Sequence, residues 1–253
     1  MSNLFRSSKP VSVPWAIDNP VQDGLLLSHL FCDLTDGYFH RNFAPGQPDS
    51  EVYGTVATSL SGTAARFTSQ SNFIQTAVLE PRVGTILAVM STPDDLSDNA
   101  NRPGFFGTWT GAPRDQATAT TTYGLYARIT SVSSPNAIRF GAGRGTSVTD
   151  HVNGDAAVLV GDASTPKLYS MEFSAAGPNS ATDHTADVTA ADDSTAPRFP
   201  TTRTLRIGSD YAQYTGQCDI SIFRCWGRVL TAQELAAEVA NARAFMARLG
   251  VTV

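Results

Sequence analysis

The side chains of this 253-residue chain that could do chemistry are five glutamates, four histidines and three cysteines, and their spacing argues against most of the chemistry they could support. Glycoside hydrolysis needs two carboxylates flanking one sugar bond. Glu51, Glu80 and Glu172 are far apart, and Glu172 is read as the water-facing residue of a half-buried strand. Glu234 and Glu238 lie one helical turn apart, where both are expected to be solvated helix charges. His29, His40, His151 and His184 are scattered, with no Gly-x-Ser-x-Gly elbow to accompany them. Gly141 to Ser147 (GAGRGTS) has the glycines of a phosphate loop but neither its lysine nor the following helix, so a hairpin turn explains it. Asp94, Asp95 and Asp98 bunch in one loop and Asp192 and Asp193 in another. They could offer oxygen to calcium, but without the spacing of a calcium loop they read as solvated turn residues. Cys32, Cys218 and Cys225 are odd in number. Cys218 and Cys225, seven apart on one strand, are expected to face opposite ways, so all three read as free buried thiols, with no zinc spacing. The chain is thus expected to have no catalytic residue, no metal and no cofactor, calcium being an alternative that no motif supports.

Binding is the remaining class, and there aromatic residues in loops are informative, because sugar rings stack on aromatic faces. Trp109, beside Gly107 and Gly111, and Tyr211 and Tyr214, in the turn after Gly208, are the carbohydrate-binding candidates. The competing reading makes each a loop plug over the core.

These residues must be placed by strands. LRIGSD (Leu205 to Asp210) alternates and breaks at Gly208. In Cys218 to Trp226, alternation predicts Cys218, Ile220, Ile222 and Trp226 on one face and Asp219, Ser221, Phe223 and Cys225 on the other, so this strand lies inside a sheet. Thr231 and Glu234 form a capping box, and Leu235, Val239, Ala242, Met246 and Leu249 make one apolar stripe of a helix ending before Gly250. Two heptads with an Ala at one core position are too few for a zipper, so the stripe is expected to lie on its own sandwich. Upstream, strands are predicted at Gly24 to Leu34 (central), Val52 to Leu60, Ala64 to Thr68, Ile74 to Val78, Thr85 to Ser91 (buried on both faces), Phe105 to Thr110, Tyr123 to Ser131, Ala137 to Gly141, Ala156 to Val160 and Lys167 to Phe173. A weak edge strand is predicted at Ala186 to Ala190. The turn Thr35-Asp36-Gly37 and the loops Phe43 to Asp49 and Pro93 to Gly104 separate some of them. Pro10, Pro14 and Pro20 make Met1 to Val21 an extended arm.

Many short strands with one terminal helix, no repeat and no linker predict an all-β fold, a two-sheet antiparallel jelly-roll sandwich over residues 22–230, with the arm before it and the helix (231–253) after it. A chain this long buries about 70 to 75% of its unfolded surface, so no staple is needed. With 16% charged residues and a net charge of −5, nothing forms a basic footprint for nucleic acid or a polybasic membrane patch. No apolar run reaches the roughly 20 residues of a membrane span. MSNLFRSSKPVSVPW lacks the apolar core of a secretion signal, so the chain is expected to be made in the cytoplasm and not exported.

The run IGSD, about ten further residues, and ISIFRCWGRVLTAQEL resemble the closing strands of the concanavalin A-like lectin/glucanase superfamily, in particular its laminin G-like modules. Trp226 stands in the usual Tyr place and Arg228, Leu230, Thr231, Glu234 and Leu235 match, whereas Cys218 stands where Gly is usual. The match covers about thirty residues. It implies a jelly roll whose opening strand pairs near the closing one. It also implies either a hydrolase, whose Glu-x-Asp-x-x-Glu or Glu-x-Asp-x-Glu motif is missing here, or a binding module. Unexported, cysteine-poor modules of this kind resemble bacteriophage capsid-decorating, tail or fibre proteins. The expectation is therefore a non-enzymatic virion protein that joins other virion proteins through its arm, forms a homo-oligomer or part of a symmetric assembly, and could engage host-surface glycan. A free-standing bacterial lectin or hydrolase relative is the alternative.

Overall fold

The computed structural model describes residues 19–32, 38–94, 96, 98, 101–118, 120–129, 136–212 and 214–253. Residues 1–18 of the expected arm, the turn Thr35-Asp36-Gly37 and the calcium candidate Asp95 lie outside them. In chain order the strands are β1 (Leu25–Leu30), β2 (Glu51–Tyr53), β3 (Ala57–Ser59), β4 (Ala64–Thr68), β5 (Phe73–Leu79) and β6 (Gly84–Ser91). There follow β7 (Gly104–Gly107), β8 (Thr110–Gly111), β9 (Thr122–Tyr123), β10 (Tyr126–Ile129), β11 (Ala137–Arg144) and β12 (Val152–Leu159). The last are β13 (Lys167–Phe173), β14 (Asn179–Asp183), β15 (Val188–Ala191), β16 (Thr204–Ile207) and β17 (Gln217–Trp226), before helix α1 (Ala232–Arg248).

Two antiparallel sheets face each other, as the jelly-roll reading requires. One has eight strands, ordered β15-β14-β13-β6-β17-β4-β3 with β1 also on β17. The other has seven, ordered β12-β11-β10-β7-β16-β5-β2. Between them lies the main core, including Phe67, Ile86, Phe106, Phe140, Tyr169, Ile207 and Phe223. A second apolar layer lies on the outside of the eight-stranded sheet, where Leu87, Val89, Leu168, Ile222 and Trp226 meet Val239, Ala242, Phe245 and Met246 of α1. β6 is buried along its whole length because it separates these two layers.

Several expectations change. β1 pairs with β17, but β4 continues along the same side of β17, so β1 ends the sheet there and is not central. The single strand predicted from Val52 to Leu60 is two strands that join different sheets. Gly54 turns the chain between them with φ +69°, where a Cβ would lie 2.2 Å from the Ser71 carbonyl oxygen. The face assignment in β17 fails beyond Ile220 because a bulge shifts the register between Ile220 and Ile222. Cys218, Ile220, Phe223 and Cys225 therefore face the main core, and Ile222 and Trp226 face the helix. Cys218 and Cys225 thus share a face, yet seven residues of extended chain, roughly 23 Å, keep them apart. All three cysteines are buried.

The helix reading also needs correction at Glu238. It is fully buried, not solvated, and it pairs with equally buried Arg224 of β17 while accepting a hydrogen bond from the Val21 amide at 2.7 Å. Trp226 Nε1 donates to the Val21 carbonyl at 2.9 Å, so the end of the expected arm is stitched into the helix–sheet joint. Glu234 completes the capping box with Thr231 and pairs with Arg228. The stripe is displaced toward Phe245: Leu235 and Leu249 are half-buried at its ends, and Glu238, Val239, Ala242, Phe245 and Met246 are buried.

Candidate functional site: the outer face of the seven-stranded sheet

With α1 on the eight-stranded sheet, no described helix covers the outer face of the seven-stranded one. Register fixes what that face carries. Gln75, Arg206, Gly107, Tyr126, Gly141 and Asp155 lie in one line across β5, β16, β7, β10, β11 and β12. Their chain neighbours Ile74, Ile207, Phe106, Ala127, Phe140 and Ala156 point into the core. The glycines of that line are space for rings. A Cβ on Gly141 would sit 2.3 Å from Tyr126 Cζ, because the phenol lies across β11 to reach Asp155 and Asn153. Gly143 likewise lies under the Tyr123 carbonyl. This corrects the reading of Gly141 to Ser147 as a turn: its first four residues are strand, and close approach from outside demands the glycines.

Two clusters occupy the face. In the first, the Arg128 guanidinium lies 3.2 Å from the centre of the Trp109 ring, 4.2 Å from that of Tyr126 and 5.4 Å from that of Tyr214. Arg102 covers Tyr214 at 4.7 Å. Arg128 and Asp210 are both buried, with 3.5 Å between Nη1 and Oδ2. Burial raises the Asp210 carboxyl to about 6 against the pull of Arg128. Trp109 is held from behind: Thr108 donates to Glu80 Oε2 at 2.7 Å, and Glu80 also accepts from Thr201 and pairs with buried Arg198. Glu80 is thus a clamp under the loop that carries Trp109.

In the second cluster, contacts run from ring to cation in an unbroken chain. Tyr53, 47% exposed, stacks on Phe73 with centroids 4.8 Å apart. The Arg206 guanidinium lies 4.0 Å from the Phe73 ring centre and 3.5 Å from that of Tyr211, and Arg203 lies 4.2 Å from the latter. The Tyr211 hydroxyl is fixed by the Thr204 carbonyl at 2.9 Å and Gln75 Oε1 at 3.1 Å, the atom that also takes the Arg206 Nε proton at 2.9 Å. Such cation–π contacts contribute about 0.5 to 2 kcal/mol each, depending on desolvation.

The three aromatic candidates therefore divide. Trp109 and Tyr214 meet around Arg128, whereas Tyr211 belongs to the neighbouring cluster. All three are half-buried. Trp109 and Tyr211 have left-handed backbones, φ +34° and +68°, a strain that non-glycine residues keep where their surroundings fix them. Tyr53, Phe73, Arg128, Arg203 and Arg206 were not singled out in the sequence. Alternation in β16 places Arg206 opposite Leu205 and Ile207, but nothing local says that its neighbours across the sheet are rings.

A polar cleft of about 670 Å³ opens at the β12 edge, lined by Arg139, Asn153, Asp155, Asp192, Asp193 and Ser194. Asp192 accepts from Asn179 at 2.8 Å and Asp94 from the Gln217 amide at 2.6 Å. Among the described residues no group of three or more His, Cys, Asp or Glu gathers as metal ligands would.

No protein-family model matches the chain, and no curated protein matches its sequence. Solved structures do match in fold. The receptor-binding domain of botulinum neurotoxin C/D mosaic serotype aligns with a TM-score of 0.59 at 8% identity, over 88% of this chain and 52% of that one. The binding domain of botulinum neurotoxin DC is similar in two complexes. With rat synaptotagmin II the TM-score is 0.59, and with SialylT it is 0.54, both at 10% identity, over 88% of this chain and 52% and 51% of those. This chain spans about half the length of the domains it matches, and the likeness is one of fold.

Proposed function

We propose that this protein is a non-enzymatic recognition module that holds saccharide on the outer face of its seven-stranded sheet. The observation that carries this is the chain of contacts Tyr53, Phe73, Arg206, Tyr211 and Arg203, in which Tyr53 is exposed and Arg206, Tyr211 and Arg203 are half-buried over a buried Phe73, on the face opposite the helix. Trp109 and Tyr214 extend it, although Arg128 already occupies one face of the indole. The fold neighbours support the reading in kind, since one is described as a binding domain with SialylT and another with rat synaptotagmin II. The glutamates are occupied otherwise: Glu80 clamps a loop, Glu238 docks the helix, Glu234 caps it, and Glu172 and Glu51 lie on different sheets. None of them pairs with another across a groove as acid and nucleophile must.

In this proposal the module belongs to a bacteriophage particle, as capsid decoration, tail or fibre. It is made in the host cytoplasm and joined to other virion proteins through the N-terminal arm ahead of Asn19, since residues 19–21 are bonded to the sandwich and its helix. A glycan array probed with the full chain tests the binding. Capture is expected and should be lost in Tyr53→Ala and Tyr211→Ala. Capture that both variants retain, or cleavage of a captured polysaccharide, would sink the reading. Antibody labelling of purified particles tests the virion assignment.

A further inference from the structure

Arg203 and Arg206 stand apart in lacking both a carboxylate and a full set of acceptors: Arg114 and Arg144 also form no ion pair with a described residue, but they donate to the carbonyls of Glu80 and Thr201 and of Ser174 and Ala196. Arg66, Arg128, Arg139, Arg198 and Arg224 each face a carboxylate. Arg203 and Arg206 form no ion pair with any described residue, although the protein as a whole is acidic. Both are half-buried against one tyrosine ring. Arg206 spends one donor on Gln75, and no described group accepts a hydrogen bond from the Arg203 side chain. The pair is also rigidly placed. Arg203 lies over Gly111, where a Cβ would come within 3.0 Å of its Cγ, and Tyr211 is held at its hydroxyl. Burial, with the charge of Arg203 beside it, pulls Arg206 below the ordinary arginine range, which is what two cations without a counter-ion experience. An anion with two oxygens would relieve the repulsion and take the unused donors in the fork geometry that guanidinium favours.

We propose that Arg203 and Arg206, packed on Tyr211, form a subsite for the carboxylate of an acidic saccharide, whose ring continues toward the exposed Tyr53 ring. This rests on the saccharide reading given above and narrows its ligand to a uronic or other acid-bearing sugar.

The test follows the arginine Nε–Hε resonances of the full chain by NMR at constant ionic strength, with sodium glucuronate, glucose and sodium sulfate as separate arms. Saturable shifts of Arg203 and Arg206 are expected with glucuronate and not with glucose. Arg203→Gln should raise the half-saturating glucuronate concentration about tenfold or more, as loss of a charge-assisted contact does. Arg243→Gln, an exposed position on the helix over the other sheet, should leave it unchanged. Sulfate binding as tightly as glucuronate would reduce the subsite to one for simple anions, and absence of any saturable shift would remove it. If the array captures only neutral glycans while glucuronate shifts nothing, the saccharide face stands and the acid subsite falls. A glucuronate response with an empty array keeps the subsite and removes the proposed glycan function.

Discussion

Asp210 and His29 show how single buried groups set the pH response. Asp210 is fully buried and raised from 3.8 to about 6, so the folded chain holds its proton more tightly than the unfolded chain. Its contribution to stability is greatest below about 4 and falls, by about 3 kcal/mol, as pH rises to about 6. His29 is lowered from 6.5 to about 4 by burial, so its contribution is full above 6.5 and is lost as pH falls toward 4, by a similar amount. The two slopes oppose each other over the same range, and the wild type alone should hide both. Urea unfolding of Asp210→Asn beside the wild type from pH 4 to 7 should show the wild type losing about 3 kcal/mol relative to the variant as pH rises. A constant difference would mean that Asp210 ionises normally beside Arg128. His29→Gln should give the opposite trend.

At the scale of the element, the joint between α1 and β17 turns on a buried charge pair inside an apolar layer. Removing one partner leaves the other unpaired, so Glu238→Ala should cost about 3 to 5 kcal/mol. Arg224→Met with Glu238→Leu removes both charges and should cost far less, and chemical denaturation of the single and double variants measures the coupling. Met246→Ala, fully buried, should cost about 2 to 5 kcal/mol, and half-buried Leu235→Ala less. These losses should appear without any change in elution on a sizing column. Variants that melt as the wild type does but elute later would show the stripe zipping to a second copy.

For the whole molecule, the boundary of the N-terminal segment is a matter of contacts. Val21 supplies an acceptor to Trp226 and a donor to Glu238, and Asn19 bonds to Ser28 at 3.1 Å. Deleting residues 1–18 is expected to leave the melting temperature of the isolated chain nearly unchanged, whereas deleting 1–21 should lower it clearly. Equal loss in both truncations would refute this division, and calorimetry decides it. Much of the architecture was legible without coordinates, because it follows from periods of two and 3.6. Alternation found β4, β13 and β17 and a continuous apolar run found β6, each within a residue or so, and Thr231 with Glu234 marked the start of the helix. Aromatic type and loop position also drew attention to Trp109, Tyr211 and Tyr214. What local pattern cannot encode is which strands become neighbours. The bulge near Ser221 reverses the faces of β17, Gly54 sends β2 and β3 to different sheets, and Glu238 is buried only because Arg224 and Val21 meet it from distant parts of the chain. Tyr53, Phe73, Arg206, Tyr211 and Arg203 span some 160 residues of sequence and touch only because β2, β5 and β16 lie side by side, with the Tyr211 turn folded back onto β16. The types and alternation of residues thus determined a two-sheet sandwich with a capped helix. Which face stayed open, and which charges were left there without partners, was decided by long-range pairing and by the single sheet face that α1 covers.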